Sequence, residues 1–368
     1  MRIATIDSEQ EFALLAPEWD ALLRRSLHNG PFLRHHWLQA WWETYGVGRL
    51  NVVTLRRGGD LIGVLPTFTA TAGRLPPARV TRFLGDEGVG STGLSPFALP
   101  EVEHDAFERF SQHLLARHSD VVDLRFMDEH SAFFGMLEHG GTARVYDDCG
   151  SCPRIELPGD WDTYLGSLSK HMRHEVRRSQ RRVTERGLEL EVISDAGALP
   201  DAVDDFLRLH EGRMRSKEGA AFVVPEAYAA FTRRVMSTLL DEGSLRLMFL
   251  RLGDRRLAAI YLLRDGDTMF AEQSGFDETE ARSDALRTLW AYAIRGAIEE
   301  GCSMLDMLIG EQRYKSEFGA DNIRRLSHVR AYNPTLRGLA RRARDAAVEA
   351  RRDSSAASEP SAEDASAG

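Results

Sequence analysis

One pattern occurs twice in the 368-residue chain and constrains its fold more than any other feature. The segment Val52-Val53-Thr54-Leu55-Arg56-Arg57-Gly58-Gly59-Asp60-Leu61-Ile62-Gly63-Val64-Leu65 is an apolar run, a turn of Gly and Asp, and a second apolar run. The segment Leu247-Met248-Phe249-Leu250-Arg251-Leu252-Gly253-Asp254-Arg255-Arg256-Leu257-Ala258-Ala259-Ile260 reads the same way. Strand-forming residues around such a turn predict a β-hairpin. In each half a helix-length stretch then leads to a short apolar strand with one acid, Asp123 in Val121–Leu124 and Asp306 in Met304–Leu308. Two copies of one α/β unit predict a duplicated fold, one copy in residues 1–158 and the other in 159–333. The chain length agrees, since it exceeds the size at which one core usually keeps growing. Residues 334–368 read as a basic helix and then a disordered tail, rich in Ser, Ala and Glu from Ser354 onward.

Composition narrows the functional classes. The formal net charge is -9, so a general DNA-binding role is not expected, because neutralising phosphates needs a basic surface. No run approaches the roughly 20 apolar residues of a membrane span, and the N-terminus lacks an apolar signal core, so a cytoplasmic protein is expected. Cys149, Cys152 and Cys302 are too few for a disulfide framework. The Cys149-Gly-Ser-Cys152 spacing suits either a metal or redox pair or ordinary turn cysteines, and no metal is expected because a fourth ligand is wanting. Nearly all basic residues are Arg; Lys170, Lys217 and Lys315 are the only lysines.

Periodicity places the remaining elements. Apolar spacing predicts a helix over Glu9–Arg25, and Trp37, Trp41 and Tyr45 share one face of a second helix, as core packing or as a stacking surface. The loop Gly85-Asp86-Glu87-Gly88-Val89-Gly90-Ser91-Thr92-Gly93 either lines a cleft or is a plain turn; it has no P-loop Lys. Further helices are predicted over Val102–Arg117, Leu199–Lys217, Pro225–Leu240 and Asp284–Glu300, and a last strand over Leu326–Tyr332. From Trp161 a helix carries Lys170, His171, Arg173, His174, Arg177, Arg178, Arg181, Arg182 and Arg186, a solvated face or an anion site.

The stretch Asp306-Met307-Leu308-Ile309-Gly310-Glu311-Gln312-Arg313-Tyr314-Lys315-Ser316-Glu317-Phe318-Gly319 resembles the closing motif of GNAT-like acetyltransferases of the CelD, or cellulose biosynthesis protein, type. These are relatives of the FemAB-like aminoacyl transferases. Pro31-Phe32 with the Trp37 and Trp41-Trp42 helix, the Arg-rich segment before Gly187, and Ser274-Gly275-Phe276-Asp277 are similar to the same family, so the resemblance covers most of residues 10–333. It implies a tandem duplicated GNAT-like α/β fold, mixed central sheets flanked by helices, with the active site in the second copy.

The implied chemistry moves an acyl group from acyl-CoA, such as acetyl-CoA, to an amine, for example an amino sugar or another precursor of a cell-surface polymer. That reaction needs an amine stripped of a proton, donors for the developing oxyanion, and a proton for the departing thiolate. By resemblance, a splayed strand at Phe270–Gly275 supplies backbone donors, and the turn Glu280–Ala285 receives the pyrophosphate. Glu272 is the expected base, Tyr314 the expected acid, and Lys315 a group for the acyl carbonyl or a phosphate, with Asp306 orienting either neighbour. Gln273, Ser274, Arg282, Ser283 and Arg287 are the expected coenzyme A contacts, with Gln273 on the strand face opposite Glu272. The glycines of the usual pyrophosphate loop are absent, and Asp284 adds a negative charge that Arg282 and Arg287 would offset. Two other readings stand beside this one: an aminoacyl-tRNA donor, and a non-catalytic module for polysaccharide assembly.

Overall fold

The computed structural model of the protein describes residues 1–73, 77–116, 119–139, 143–146, 149–219, 221–277 and 282–356. Both hairpins are present: Val52–Arg57 pairs antiparallel with Asp60–Leu65, and Leu245–Leu252 with Arg255–Asp265. The duplication extends to a fine detail, because each hairpin shifts register at a Leu-Arg step, Leu55/Arg56 in one and Leu250/Arg251 in the other. In each half a later strand runs parallel to a partner reached through a helix. Ala78–Phe83 joins Val121–Asp128 across helix Glu103–Leu115, and Thr268–Phe276 joins Met304–Asp306 across helix Arg282–Glu299. Parallel neighbours cannot be linked by a tight turn, so a crossover helix is required.

Among the described residues the strands form a four-stranded and a twelve-stranded mixed sheet. The halves are joined by the last strand, Asn322–Tyr332, which starts earlier than apolar patterning predicts. Its first residues pair with Ser151–Arg154, which continues into pairing with Met304–Asp306. Its remainder pairs with Val121–Asp128 and with Ala143–Tyr146. The same strand also neutralises the acid repeated in each half: Arg324 donates to Asp306, while His328 and Arg330 bind Asp123.

The helices follow their apolar spacing. The expected helix over 9–25 is two, Glu9–Leu14 and Ala16–Leu23, because Pro17 lacks an N–H and fits only a first turn. Trp37 and Trp41 are buried, and Trp37 meets Phe231 of helix Glu226–Asp241 edge-on at 5.0 Å, so the aromatic stripe is core packing between the halves. The helix expected from Trp161 is two, Trp161–Ser167 and the basic helix Lys170–Glu185, parted by extended backbone at Leu168 and Ser169, and Ser169 caps the second through Met172 N–H at 3.1 Å. Met172, Val176, Ser179 and Val183 bury one face, while Lys170, His171, His174, Arg177 and Arg181 are exposed. The terminal helix, Leu336–Ala356, is fixed by Asp345, which accepts from Tyr332 Oη at 2.8 Å and from Arg330 at 3.1 Å. It runs into the stretch expected to be disordered, and the rest of that stretch lies outside the described residues. Among the described residues no helix is long and apolar enough to cross a membrane.

Candidate active site

The central strand Thr268–Phe276 pairs with Met304–Asp306 only as far as Phe270, opposite Asp306. Beyond that point the two strands part, and residues 271–276 hold to Arg255–Asp265 by their other edge alone. That remaining ladder is irregular as well. Gln273 stands opposite Tyr261 and Ala271 opposite Leu262, so Glu272 is the extra residue of a β-bulge. The splay leaves one edge of 271–276 without a strand partner among the described residues.

Glu272 is buried where the two halves meet. The backbone N–H of Gly90, from the glycine-rich loop of the first half, lies near the carboxylate and favours its charged form. A Cβ at position 90 would lie 3.0 Å from Glu272 Oε1, so a side chain there would press on the carboxylate and make it shift. Glu272 Oε2 and the hydroxyls of Tyr228 and Tyr261 are buried without a hydrogen-bond partner. The Tyr228 hydroxyl is near enough to favour the carboxylate but is not in hydrogen-bond geometry. Burial pushes the Glu272 pKa up to about 7, against the opposing pull of the Gly90 N–H and the Arg213 charge. A carboxyl in that range can both take and return a proton near neutrality. Tyr45, at the end of helix His35–Tyr45, also faces this site; burial first and the Glu272 charge second raise its pKa to about 12.

Arg213 organises the site from helix Leu199–Glu218. Its Nε donates to Ser274 O at 2.8 Å and its Nη2 to Gln273 Oε1 at 2.7 Å. Its charge also acts on Glu272 and on Tyr314. One helical turn earlier, His210 Nδ1 lies 3.3 Å from the same Ser274 oxygen, and burial lowers the His210 pKa to about 4, so the neutral ring donates. This helix and the strand touch backbone to backbone: a Cβ at Gly275 would sit 2.4 Å from His210 N.

The expected site residues separate into two groups. Glu272, Gln273, Ser274 and Tyr314 gather around Arg213. Gln273 does not diverge from Glu272 as strict alternation would have it, because the bulge breaks the period of two. Tyr314 packs against Trp290 at 5.7 Å, and burial raises its pKa, keeping the hydroxyl protonated.

Lys315 and Asp306 instead build the turn that follows the short strand. Lys315 is 3% exposed, and its Nζ donates to the carbonyls of Met307 (2.7 Å), Leu308 (2.9 Å) and Ile309 (3.1 Å). Burial lowers its pKa to about 8. An ammonium has three protons, so none is left for a substrate. Asp306 accepts from Leu308 N at 2.8 Å and from Arg324 Nη2 at 3.0 Å, holding Leu308 at a φ of 52°.

Of the expected coenzyme A contacts, Ser274 gives its carbonyl to Arg213 and His210, and Arg287 is paired with Glu175 at 2.9 Å. Helix Arg282–Glu299 begins where the pyrophosphate turn was expected, but the side chains of Arg282 and Ser283 lie outside the described residues. Sequence reasoning missed Arg213, His210 and Tyr228, while Gly90 lies in the glycine-rich loop for which a cleft lining was one of two readings. A signal existed for two of them, since His210 and Arg213 share a helix face with the core residue Phe206.

This arrangement is that of an acyltransferase fold. Residues 170–316 match the family model described as an acetyltransferase (GNAT) domain. Among solved structures, that of FemX is similar over 89% of this chain and 97% of its own, at 11% identity and a TM-score of 0.62. The C-terminal domain of a putative lysylphosphatidylglycerol synthetase from Agrobacterium fabrum is similar over 90% and 95%, at 13% identity and a TM-score of 0.53. L-PGS from Bacillus licheniformis is similar over 81% and 91%, at 12% identity and a TM-score of 0.50. No curated protein sequence matches the chain. The chain thus has a mixed α/β fold of GNAT type and carries a GNAT domain in its second half, and the resemblance to GNAT-like and FemAB-like proteins is borne out.

Proposed function

We propose that the protein transfers an acyl group from a coenzyme A thioester to an amine, with Glu272 as the base. The observation that carries this reading is a carboxylate buried on the bulge of a splayed strand, its pKa raised to about 7. Glu272 takes the proton from the attacking amine as nitrogen bonds to the acyl carbonyl carbon. Backbone N–H groups on the open edge of 271–276 stabilise the oxyanion that forms. Tyr314 gives its proton to sulfur as the carbon–sulfur bond breaks, and Arg213 stabilises the phenolate left behind. Gln273 and Ser274 flank the thioester, and Arg282, Ser283 and Arg287 meet the phosphates, Arg287 exchanging Glu175 for them. In this reading Lys315 and Asp306 shape the turn and take no part in the chemistry. The acceptor is an amine such as an amino sugar of a surface-polymer precursor, and the reaction runs in the cytoplasm.

A second reading has an observation of its own. Lysylphosphatidylglycerol synthetase by its name moves a lysyl group, so the fold is compatible with an aminoacyl donor. The test is thiol release from acetyl-CoA across a panel of amines. Wild-type turnover is expected, with a loss of about 10²–10⁴-fold in Glu272→Gln. No heat on titrating high-micromolar acetyl-CoA, with turnover from aminoacyl-tRNA instead, would establish the second reading. Silence with both donors would favour a non-catalytic module.

A further inference from the structure

A cavity of about 420 Å³ lies between the halves on the paired side of Phe270, where neither Glu272 nor Tyr314 lines it. It adjoins a groove of about 400 Å³, and His28, Asp128, Arg154 and Arg324 line both. We infer that this cavity binds a small organic oxyanion, a carboxylate or phosphate on an apolar body, with Arg154 as its anchor.

The argument rests on which polar groups are satisfied. Three carboxylates line the cavity, and each has a protein donor. Asp306 accepts from Arg324 and Leu308 N, Asp267 from Ser303 Oγ at 2.7 Å, and Asp128 from His130 N at 2.9 Å. Arg154 is the opposite case. Its Nη2 donates to Asn322 Oδ1 at 2.7 Å, its Nε is buried with no partner, and no carboxylate pairs with it among the described residues. Its strand neighbour Asp306 is already committed to Arg324. A guanidinium held in place by an amide oxygen and not neutralised by a carboxylate is preorganised for an oxyanion. Arg325, exposed at the groove mouth, likewise has no carboxylate partner among the described residues. Pro31, Phe32, Phe270 and Met304 provide an apolar wall, Phe32 and Phe270 meeting edge-on at 5.8 Å. The volume is within the range of small-molecule sites.

The test is calorimetric titration of the full-length protein with phenyl phosphate and, separately, phenylacetate; the tighter probe names the oxyanion. Saturable binding of at least one is expected, weakened about tenfold or more in Arg154→Met and by a smaller factor in Arg325→Gln. Inorganic phosphate, which lacks the apolar body, is expected to bind more weakly than phenyl phosphate. No saturation by either probe up to about 5 mM overturns the inference, as does unchanged affinity in an Arg154→Met protein with wild-type circular dichroism. Should Arg154→Met fail to fold, Arg325→Gln decides, and unchanged affinity there is equally fatal. Binding is read without turnover, so its failure would leave the role of Glu272 untouched.

Discussion

Lys315 is the residue whose structural surroundings most change its expected behaviour on mutation. Lys315→Met keeps the aliphatic stem and removes the ammonium, so its cost isolates the polar contacts. Three charge-assisted hydrogen bonds to carbonyls are lost, at 2.7, 2.9 and 3.1 Å. Such bonds contribute about 1.5–3 kcal/mol each, offset by the relief of no longer holding a charge away from water. Each carbonyl left buried without a donor costs about 1–3 kcal/mol, so with that relief a net loss of about 3–5 kcal/mol is expected here. Against a total stability of about 5–15 kcal/mol, this loss moves a urea midpoint by a large fraction of its value. The assay is equilibrium urea unfolding of both proteins at neutral pH, followed by far-UV circular dichroism, with thiol release measured in parallel on the folded fraction. A destabilisation below about 1 kcal/mol together with collapsed turnover would refute the reasoning and return Lys315 to the chemistry.

Three further outcomes follow from the site. Glu272 has a native pKa of about 7 against an ordinary value of 4.5, so the native state binds its proton more tightly. Stability from this group is complete below pH 4.5 and is lost as pH rises to 7, about 3 kcal/mol in all. Glu272→Gln removes that slope, so in chemical denaturation it gains on wild type between pH 5 and about pH 8; parallel pH curves would contradict the burial argument. Arg213→Gln is expected to lower turnover by about 10²-fold and to raise the Glu272 pKa, read as a shift of the pH–rate profile to higher pH. Gly275→Ala drives a Cβ to within 2.4 Å of backbone, and thermal unfolding should report a loss of about 1–3 kcal/mol.

Much of this architecture is legible in local pattern. The hairpins and the helices at Leu199–Glu218 and Glu226–Asp241 carry their own periodicity and turn residues and lie where that periodicity puts them, whereas the helix expected from Trp161 is broken before Lys170. The strand Ser151–Glu156 was not legible, because its sequence carries a Pro and two charges and its place is fixed by two partners more than 140 residues away. The site divides in the same way. Glu272 stands out as an acid among apolar strand residues, but its bulge depends on tertiary packing. Lys315 beside Tyr314 looks chemical in sequence, and only the path of residues 307–309 shows where its protons go. Arg213 was hidden for a different reason: an Arg on a helix rich in charge reads as surface until the strand carbonyl it meets is known.

The strand Asn322–Tyr332 has a consequence for biogenesis. Val121–Asp128 and Ala143–Tyr146 find their shared partner only in residues 326–332, far later in the chain. The leading half must therefore leave the ribosome with that sheet unfinished, its open edge waiting while some 170 residues follow. A polypeptide cut after Pro158 would keep that edge bare, and self-association is its natural fate. Supplying residues 322–332 as a separate peptide should close it by donor-strand complementation.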